Sequence, residues 1–228
     1  MKFINVTKSY GAKPALKGIN LTVESGKIIG LLGPNGSGKT TMLKLANGLL
    51  NPSSGEVLIE GQMPGIASKS IVSYLPEKTY LNDWMRVGEV LDFFCDFYPD
   101  FSPEKSKEML KSLGIEQTDK LKTMSKGTKE KLQLILVMSR KARLYLLDEP
   151  IGGVDPAARD YILNTIISNY NEDGTVIIST HLIQDVERIF DDVVFLSNGE
   201  IIICDSVDSV REKHNKSVDE LFREVFKC

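Results

Sequence analysis

One short stretch of the chain has the residue types and the spacing to hold a phosphate. Gly33 to Thr40, GPNGSGKT, fits the pattern G-x-x-x-x-G-K-[ST]. Its glycines let backbone N–H groups wrap around a phosphate, Lys39 can reach the terminal phosphates, and the Thr40 hydroxyl can ligate Mg²⁺. The residues that follow predict a helix, whose positive end would face the same anion. The alternative interpretation is a glycine-rich turn that leaves Lys39 in solvent.

Two apolar strands further along the chain end in residues that could act on such a phosphate. LYLLDEP ends in Asp148 and Glu149, and Pro150 then stops the strand because it has no N–H. Ligands of α/β folds bind at this carboxyl edge, so Asp148 could hold Mg²⁺ and Glu149 could orient and deprotonate a water. TVIISTH brings His181 to the same edge as a donor to the γ-phosphate. The alternatives are two surface acids before a turn and a structural histidine.

A second polar turn, Ser125 to Thr128, precedes a strongly apolar helix in mid-chain. The Ser125 hydroxyl, the Gly127 N–H and the positive end of that helix would suit an anion. The alternative is a helix N-cap by Ser125 with no ligand.

The composition is ordinary for a soluble globular protein. The 228 residues are 42% hydrophobic and 26% charged, and 28 Lys plus Arg against 31 Asp plus Glu give a net charge of -3. This charge leaves no basic footprint, so we expect no nucleic-acid partner. Cys95, Cys204 and Cys228 are far apart and are predicted to be reduced, as in the cytosol. With no signal peptide and no apolar run near the roughly 18 residues of a membrane helix, we expect no membrane crossing.

The apolar periodicity predicts an α/β fold. Residues 1–60 contain the strands FINVTKSY, GINLTV, KIIGLL and EVLIEG, with Gly-bearing turns between them. We expect an antiparallel β subdomain at the N-terminus. A helix after the phosphate loop places Met42, Leu45, Ala46 and Leu49 on one buried stripe.

Residues 79–142 are predicted to form a helical lobe, inserted before the α/β alternation resumes. One of its helices begins after Ser102 and ends at Gly114. After LYLLDEP come a helix from Pro156, the strand TVIIST, a helix in LIQDVERIF and a hairpin on an Asn-Gly turn. The tail, 205–228, carries a capping box before a last helix.

Together these motifs resemble the nucleotide-binding domain of an ATP-binding cassette (ABC) transporter, over nearly all of the chain. GPNGSGKT matches Walker A, MSKGT stands at the signature LSGGQ, LYLLDEP matches Walker B and GGVD the D-loop. Tyr10 stands at the position of an aromatic that stacks on adenine, although it could be a plain strand residue. Glu77 in YLPEK stands at the Q-loop glutamine, and His181 is the switch histidine.

The resemblance implies a site of three overlapping groups. It implies that catalysis depends on Lys39, Glu149 and His181. It implies that Mg²⁺ is held by Thr40, Glu77 and Asp148. It implies that ATP is contacted by Tyr10, Gly33, Pro34, Asn35, Gly36, Ser37, Gly38, Lys39, Thr40, Thr41, Ser125 and Gly127.

The resemblance also implies partners. Two such domains bind head to tail, and the signature turn of one caps the γ-phosphate held by Walker A of the other, which explains why one chain has two phosphate-type turns. The second domain could be the same chain or a different cassette. The motor would drive a separately encoded permease from the cytoplasmic face of the membrane. The signature-to-Walker B spacing and YLPEK followed by Trp84 resemble export-type cassettes.

Three departures from the family pattern affect the site. Lys126 replaces a glycine and Thr128 a glutamine in the signature turn, and we hypothesise that Lys126 points at phosphate or at nearby solvent. Glu77 replaces a glutamine, which predicts retained hydrolysis with an altered dependence on Mg²⁺.

Two rival functions stay open. One is a soluble ABC ATPase that acts on a partner outside the membrane, and the other is a nucleotide-gated subunit with little hydrolysis. Near the Q-loop, Tyr80, Leu81, Trp84 and Met85 belong either to the core of the lobe or to a groove that contacts the permease.

Overall fold

The computed structural model describes residues 1–226. Cys228, and with it the end of the predicted 205–228 tail, lies outside these residues. Strands of the described chain are β1 (Lys2–Tyr10), β2 (Lys13–Thr22), β3 (Ile28–Leu32), β4 (Ser54–Leu58), β5 (Val72–Leu75), β6 (Leu144–Asp148), β7 (Thr175–Thr180), β8 (Asp192–Ser197) and β9 (Glu200–Ser206).

Helices surround these strands. They are α1 (Lys39–Ala46), α2 (Ile66–Lys69), α3 (Val87–Phe97), α4 (Pro103–Ser112), α5 (Lys126–Met138), α6 (Pro156–Asn169), α7 (Ile183–Val186), α8 (Val207–His214) and α9 (Val218–Phe226). Short 3₁₀ turns follow at Leu121–Thr123 and Glu187–Ile189. Within residues 1–226, no helix is both long and apolar enough for a membrane span.

The strands form two sheets. The small sheet is antiparallel in the order β2-β1-β4, and the large sheet has the order β5-β6-β7-β3-β8-β9. The first five strands of the large sheet are parallel, and β9 pairs antiparallel with β8. The predicted Asn-Gly hairpin is confirmed, because Asn198 and Gly199 both have positive φ, 49° and 81°.

The large sheet is covered on both faces, which explains why β3, β6 and β7 are apolar and fully buried along their length. One face packs on α6, α7 and the C-terminal helices, and the other packs on α1 and the small sheet. A third core belongs to α3, α4 and α5, and it buries one face of α3, formed by Val87, Val90, Leu91 and Phe94.

Helix α5 is apolar around most of its circumference because it borders two cores. Leu134, Val137 and Met138 face the core under the sheet, whereas Leu132 and Ile135 face the core of the helical region. This single helix therefore joins the core of the helical region to the core under the large sheet. The boundary of a helical lobe at 79–142 stays a prediction.

Side chains cap several helix N-termini. Ser102 caps α4 through Lys105 N at 3.2 Å, and Asp155 caps α6 through Ala158 N at 3.0 Å. In the tail, Ser217 and Glu220 form the capping box at 2.8 and 3.1 Å.

Three sequence expectations are wrong. Leu49 lies beyond the end of α1 and is 53% exposed, because the helix stops at Ala46 before the stripe reaches it. Residues 79–86 form a loop and not helix, since α3 begins only at Val87. LIQDVERIF gives one turn of α-helix followed by a 3₁₀ turn instead of a continuous helix.

Buried Arg140 ties the helical region to the sheet. Its guanidinium donates to Val72 O at 2.6 Å and Ser70 O at 2.8 Å, and its Nε donates to the Asp100 carboxylate at 3.0 Å. The same group lies 3.9 Å from the centroid of the Tyr98 ring. Removal of this side chain would leave buried carbonyls and a carboxylate without their donor.

We therefore predict that Arg140→Met lowers the free energy of unfolding by about 3 kcal/mol, or Tm by roughly 6–12 °C. Thermal unfolding followed by circular dichroism measures this. The control is Arg143→Met, which removes an exposed ion pair to Glu60 and should leave Tm unchanged. Equal effects of the two substitutions would contradict the anchoring role of Arg140.

Candidate active site

The loop between β3 and α1 needs glycine at two positions for steric reasons. A Cβ on Gly33 would lie 2.3 Å from the carbonyl oxygen of Leu196. Gly38 has a φ of 116°, and a Cβ there would lie 2.9 Å from the carbonyl oxygen of Ala15. The loop is therefore held close to β8 and β2, and its backbone turns directly into α1.

Lys39, the first residue of α1, is folded back beneath this loop. Its side chain is 6% exposed, and Nζ donates to Gly33 O at 2.7 Å and Pro34 O at 3.4 Å. Nζ also lies 3.2 Å from Glu149 Oε1. The ammonium thus occupies the mouth of the loop, where it can meet an incoming phosphate after a small rotation of the side chain.

Asp148 ends β6 and is held by two hydroxyl groups. Its Oδ1 accepts hydrogen bonds from Thr40 Oγ1 at 3.0 Å and Ser179 Oγ at 2.6 Å. Its Oδ2 is buried without a hydrogen-bond partner. Burial raises the pKa of the Asp148 carboxyl, the hydrogen bonds from Ser179 and Thr40 lower it, and the charges of Glu77 and Glu149 raise it further.

A divalent cation fits this arrangement. An unpartnered carboxylate oxygen, a threonine hydroxyl and further carboxylates are the oxygen ligands that Mg²⁺ prefers. The raised pKa of Asp148 also fits a cation site, because burial and neighbouring carboxylates disfavour its negative charge. A bound cation would neutralise that charge.

Glu149 adopts a left-handed backbone conformation directly after β6, with φ of 50°. Its N–H donates to Ser179 O at 3.0 Å, which anchors the turn to β7. The carboxylate lies between two cationic or polar groups, because Oε1 faces Lys39 and Oε2 lies 3.1 Å from His181 Nδ1. A strained glutamate held in this way is typical of a functional position.

An open cleft of about 420 Å³ joins most of the predicted residues. Tyr10, 50% exposed, forms one wall, and Lys8 Nζ lies 5.6 Å from the centroid of its ring. The cleft is lined by Tyr10, Lys13, Pro14, Ala15, Asn35, Gly36, Gly38, Lys39, Thr40, Thr41, Glu77 and Glu149.

Three of the lining residues, Lys13, Pro14 and Ala15, are absent from the sequence prediction. The signal for them was available, because Lys13 pairs with Tyr10 across the first hairpin and must share its neighbourhood. The remaining loop residues support the cleft from below: Gly33 and Pro34 hold Lys39 through their carbonyls, and Ser37 is buried.

The second polar turn lies apart from this cleft. Ser125 is the N-cap of α5, accepts from Thr128 N at 3.1 Å and lies 2.8 Å from the Thr128 hydroxyl. Neither Ser125 nor Gly127 lines the cleft around Walker A, so a ligand for this turn stays a prediction. Lys126 is 84% exposed and lies 3.7 Å from Glu130.

A second open cleft of about 590 Å³ borders the same carboxylate. Asn35, Glu149 and His181 form one side of it, and Lys126 and Glu130 form the other. The catalytic edge of the sheet and the start of α5 therefore face a common space, and Lys126 borders it.

Comparison with known proteins identifies the class. The sequence model of the ABC transporter family matches residues 16–152. The ABC transporter ATP-binding protein YtrB of Bacillus subtilis strain 168 is 31% identical over 92% of this chain and 73% of YtrB. The lantibiotic transport ATP-binding protein SrtF of Streptococcus pyogenes is 30% identical over 97% of this chain and 95% of SrtF. A solved ATP-binding subunit of an ABC transporter superposes with a TM-score of 0.87 at 26% identity, covering 99% of this chain and 98% of that chain.

The chain therefore belongs to the ABC transporter family and is an ATP-binding subunit that hydrolyses ATP as the motor of a transporter. Members of this family bind ATP and dimerise. The predicted family and the predicted fold, an α/β cassette with an antiparallel β sheet and additional helices, are both confirmed.

We predict that Asp148→Asn stabilises the nucleotide-free chain and abolishes hydrolysis. The pKa of Asp148 is higher in the folded chain than in the unfolded chain, so its contribution to stability falls as pH rises through that interval. At pH 7 the neutral amide of the substituted side chain removes the free-energy cost of burying a charged carboxylate, and Tm should rise by about 2–4 °C. The gain should vanish near pH 4.

The control for this substitution is Asp96→Asn, on the exposed face of α3. It should change neither Tm nor ATP hydrolysis. A lower Tm for Asp148→Asn at pH 7, measured by calorimetry, would show that the buried charge is not a cost to the nucleotide-free fold.

Proposed function

We propose that the chain powers export through a separate membrane permease, as one half of a dimer that binds two Mg²⁺-ATP on the cytoplasmic face of the membrane. The observation that carries this proposal is the shared cleft, which brings Tyr10, the phosphate loop, Glu77 and Glu149 together. We treat residues 1–228 as one domain, with a helical lobe at 79–142 and a tail at 205–228.

ATP would lie along the cleft with its adenine on Tyr10 and its phosphates on the loop. The exposed ring of Tyr10 offers a stacking surface at the open end. Backbone N–H groups of Gly33 to Thr40, together with Thr41, would surround the phosphates at the start of α1. Lys39 would exchange its contacts with Gly33 O and Glu149 for the terminal phosphates.

Mg²⁺ would be held by Thr40, Asp148 and Glu77, and when bound it would neutralise charge on the phosphates. Thr40 and Asp148 already share a hydrogen bond of 3.0 Å, so they are close enough for one ion. Glu77 borders both clefts beside Glu149. Because a carboxylate replaces an amide here, we expect the dependence of hydrolysis on Mg²⁺ to be altered.

Glu149 would orient and deprotonate the attacking water. In the nucleotide-free chain its two oxygens face Lys39 and His181, and withdrawal of Lys39 toward phosphate would free one of them. His181, at 3.1 Å from Glu149, would keep this carboxylate in place and donate to the γ-phosphate.

The signature turn would act on the ATP of a second chain. Ser125, the Gly127 N–H and the start of α5 are exposed or partly exposed and lie outside the first cleft of their own chain. Lys126 adds an exposed positive charge at the N-terminus of α5, where its contact with Glu130, at 3.7 Å, could be exchanged for a phosphate. The second chain is either an identical copy or a different cassette.

The first test of this proposal is the molar mass of Glu149→Gln in solution with and without Mg²⁺-ATP. The substitution keeps the size of the side chain but removes the general base, so an ATP-bound dimer should persist, with the mass doubling on addition of nucleotide. Glu149→Gln with Ser125→Arg, which blocks the signature turn, is the control and should stay monomeric. A monomer that binds ATP in both variants would refute a dimer of identical chains.

Phosphate release separates the rival functions. A nucleotide-gated subunit would bind ATP with almost no steady-state release, whereas the proposed motor releases phosphate continuously. A soluble ABC ATPase acting outside the membrane would remain active but would not associate with a permease.

The permease would dock in a separate groove beside the loop that follows β5. This groove, of about 400 Å³, lies between α1, β5 and α3, and the exposed apolar residues Leu49, Tyr80 and Phe93 line it. The apolar surface continues from Phe93 onto Phe97, since the centroids of the two rings are 4.4 Å apart. Trp84 is 75% exposed, which contradicts a place in the core, and is not among the lining residues.

Export is the direction that we propose for this transporter. SrtF is named as a lantibiotic transport protein, and it aligns with nearly the whole of this chain. A permease-bound motor would also account for an apolar groove on a chain whose described helices do not span a membrane.

We predict that Phe93→Ser releases the chain from membranes while basal ATP hydrolysis stays unchanged. Loss of a buried aromatic anchor at an interface costs about 2 kcal/mol, or a thirtyfold weaker association. Fractionation of expressing cells measures it. The control is Ile202→Ser, an exposed apolar residue on β9 at the opposite edge of the sheet. Membrane retention of Phe93→Ser equal to that of Ile202→Ser would count against this groove.

A further inference from the structure

Gln133 is a buried polar residue on α5 that no step of the proposed function uses. It is 3% exposed, and its neighbours on the helix, Leu132 and Leu134, are buried in two different cores. A buried amide destabilises a protein unless its donors and acceptors are satisfied. The partners of Gln133 therefore show what this residue is for.

Both partners belong to the loop that follows β5. Gln133 Nε2 donates to Pro76 O at 3.3 Å, and Gln133 Oε1 accepts from Tyr80 N at 3.3 Å. The two bonds bracket the three residues between them, of which Glu77 is the first. Strand β5 ends at Leu75, so sheet pairing cannot hold this backbone and a side chain does so instead.

A small cavity connects Gln133 to the catalytic acids. It measures about 30 Å³, enough for one water, and its walls include Glu77, Asp148, Glu149, Glu130 and Gln133. The amide thus lies beside the carboxylates, while its hydrogen bonds go to the loop that carries one of them.

A second tie runs parallel to the first. Lys129 lies one turn before Gln133 on the same face of α5, and its ammonium pairs with Asp83 further along the same loop. The Lys129 side chain is only 15% exposed, so this pair is partly shielded from water. Helix α5 therefore holds the loop at two points, through Gln133 and through Lys129, which lies two residues after Gly127 in the first turn of the helix.

We propose that Gln133 is a positioning residue that fixes the 76–80 loop on α5, so that the Glu77 carboxylate is presented to the metal of the nucleotide. This inference rests on the proposed role of Glu77 as a ligand of Mg²⁺. It also gives the loop and the signature turn a common rigid support, because both are attached to the first two turns of α5.

The hold on the loop is tested without nucleotide. In Gln133→Met, which keeps the length of the side chain but removes both hydrogen bonds, the Tyr80 amide loses its acceptor. Hydrogen exchange followed by mass spectrometry should show exchange at Tyr80 about fivefold faster. The control is Thr165→Val, which removes one side-chain hydrogen bond on α6 and should leave the exchange rate at Tyr80 unchanged. Unchanged exchange in Gln133→Met would overturn the proposal.

The effect on the metal is tested by Mg²⁺ titration. The Mg²⁺ concentration for half-maximal ATP hydrolysis should rise about tenfold in Gln133→Met, as expected when the backbone that carries a metal ligand loses its outer support. Binding of Mg²⁺ is also followed by the fluorescence of Trp84, the one tryptophan of the chain, which lies further along the same loop. This measurement does not depend on ATP hydrolysis. In a Glu77→Ala background, Gln133→Met should shift neither curve further.

The outcomes separate the inference from the proposed function. Faster exchange at Tyr80 with unshifted Mg²⁺ curves, or an equal shift in the Glu77→Ala background, would overturn the positioning role while the ATPase stands. A wild-type chain with a Mg²⁺-dependent Trp84 signal but no hydrolysis would refute the proposed motor and leave the positioning role supported by the shifted signal. If Gln133→Met does not fold, Gln133→Ala is measured in the same way.

Discussion

The hydrogen bonds of one carboxylate connect the phosphate loop to the central strands, and the geometry of the site depends on them. Asp148 at the end of β6 accepts from Thr40 on α1 and from Ser179 on β7, so the phosphate loop and two neighbouring strands share one buried acceptor. The same burial that makes these bonds strong raises the pKa of Asp148 and leaves one of its oxygens without a partner. The fold thus keeps an energetically unfavourable carboxylate where a cation can bind.

The order of the central strands explains how Asp148 finds its partners. Strands β6, β7 and β3 are adjacent and parallel, so Asp148, His181 and the phosphate loop all emerge at one edge of the sheet. Glu149 uses this edge to reach Lys39 and His181 at once, in a backbone conformation that glutamate rarely adopts. Strain and charge are therefore concentrated at the site, and the apolar strands below it supply the stability.

Helix α5 extends this arrangement to the rest of the cassette. Its apolar sides complete two cores, its N-terminus carries the second polar turn, and Lys129 and Gln133 reach the loop after β5. The groove that we assign to the permease is lined by Tyr80 from this loop and by Phe93 from α3. A movement of α5 would therefore displace the loop after β5, and with it both the nucleotide site and the groove.

The sequence by itself determined the family, the kind of chemistry and most elements, because these depend on local signals: glycines at fixed spacing, capping residues, and apolar periods of two or 3.6. It misplaced Leu49, although Gly48 directly after α1, with φ of 66°, is a local stop signal, and it predicted helix for residues 79–86, which form a loop. It left Trp84 undecided between core and surface. Only the tertiary structure decided that Lys39 pairs with Glu149 and that Gln133 holds the loop of Glu77. Each of these contacts joins residues whose proximity depends on strand order and packing, which no local pattern encodes.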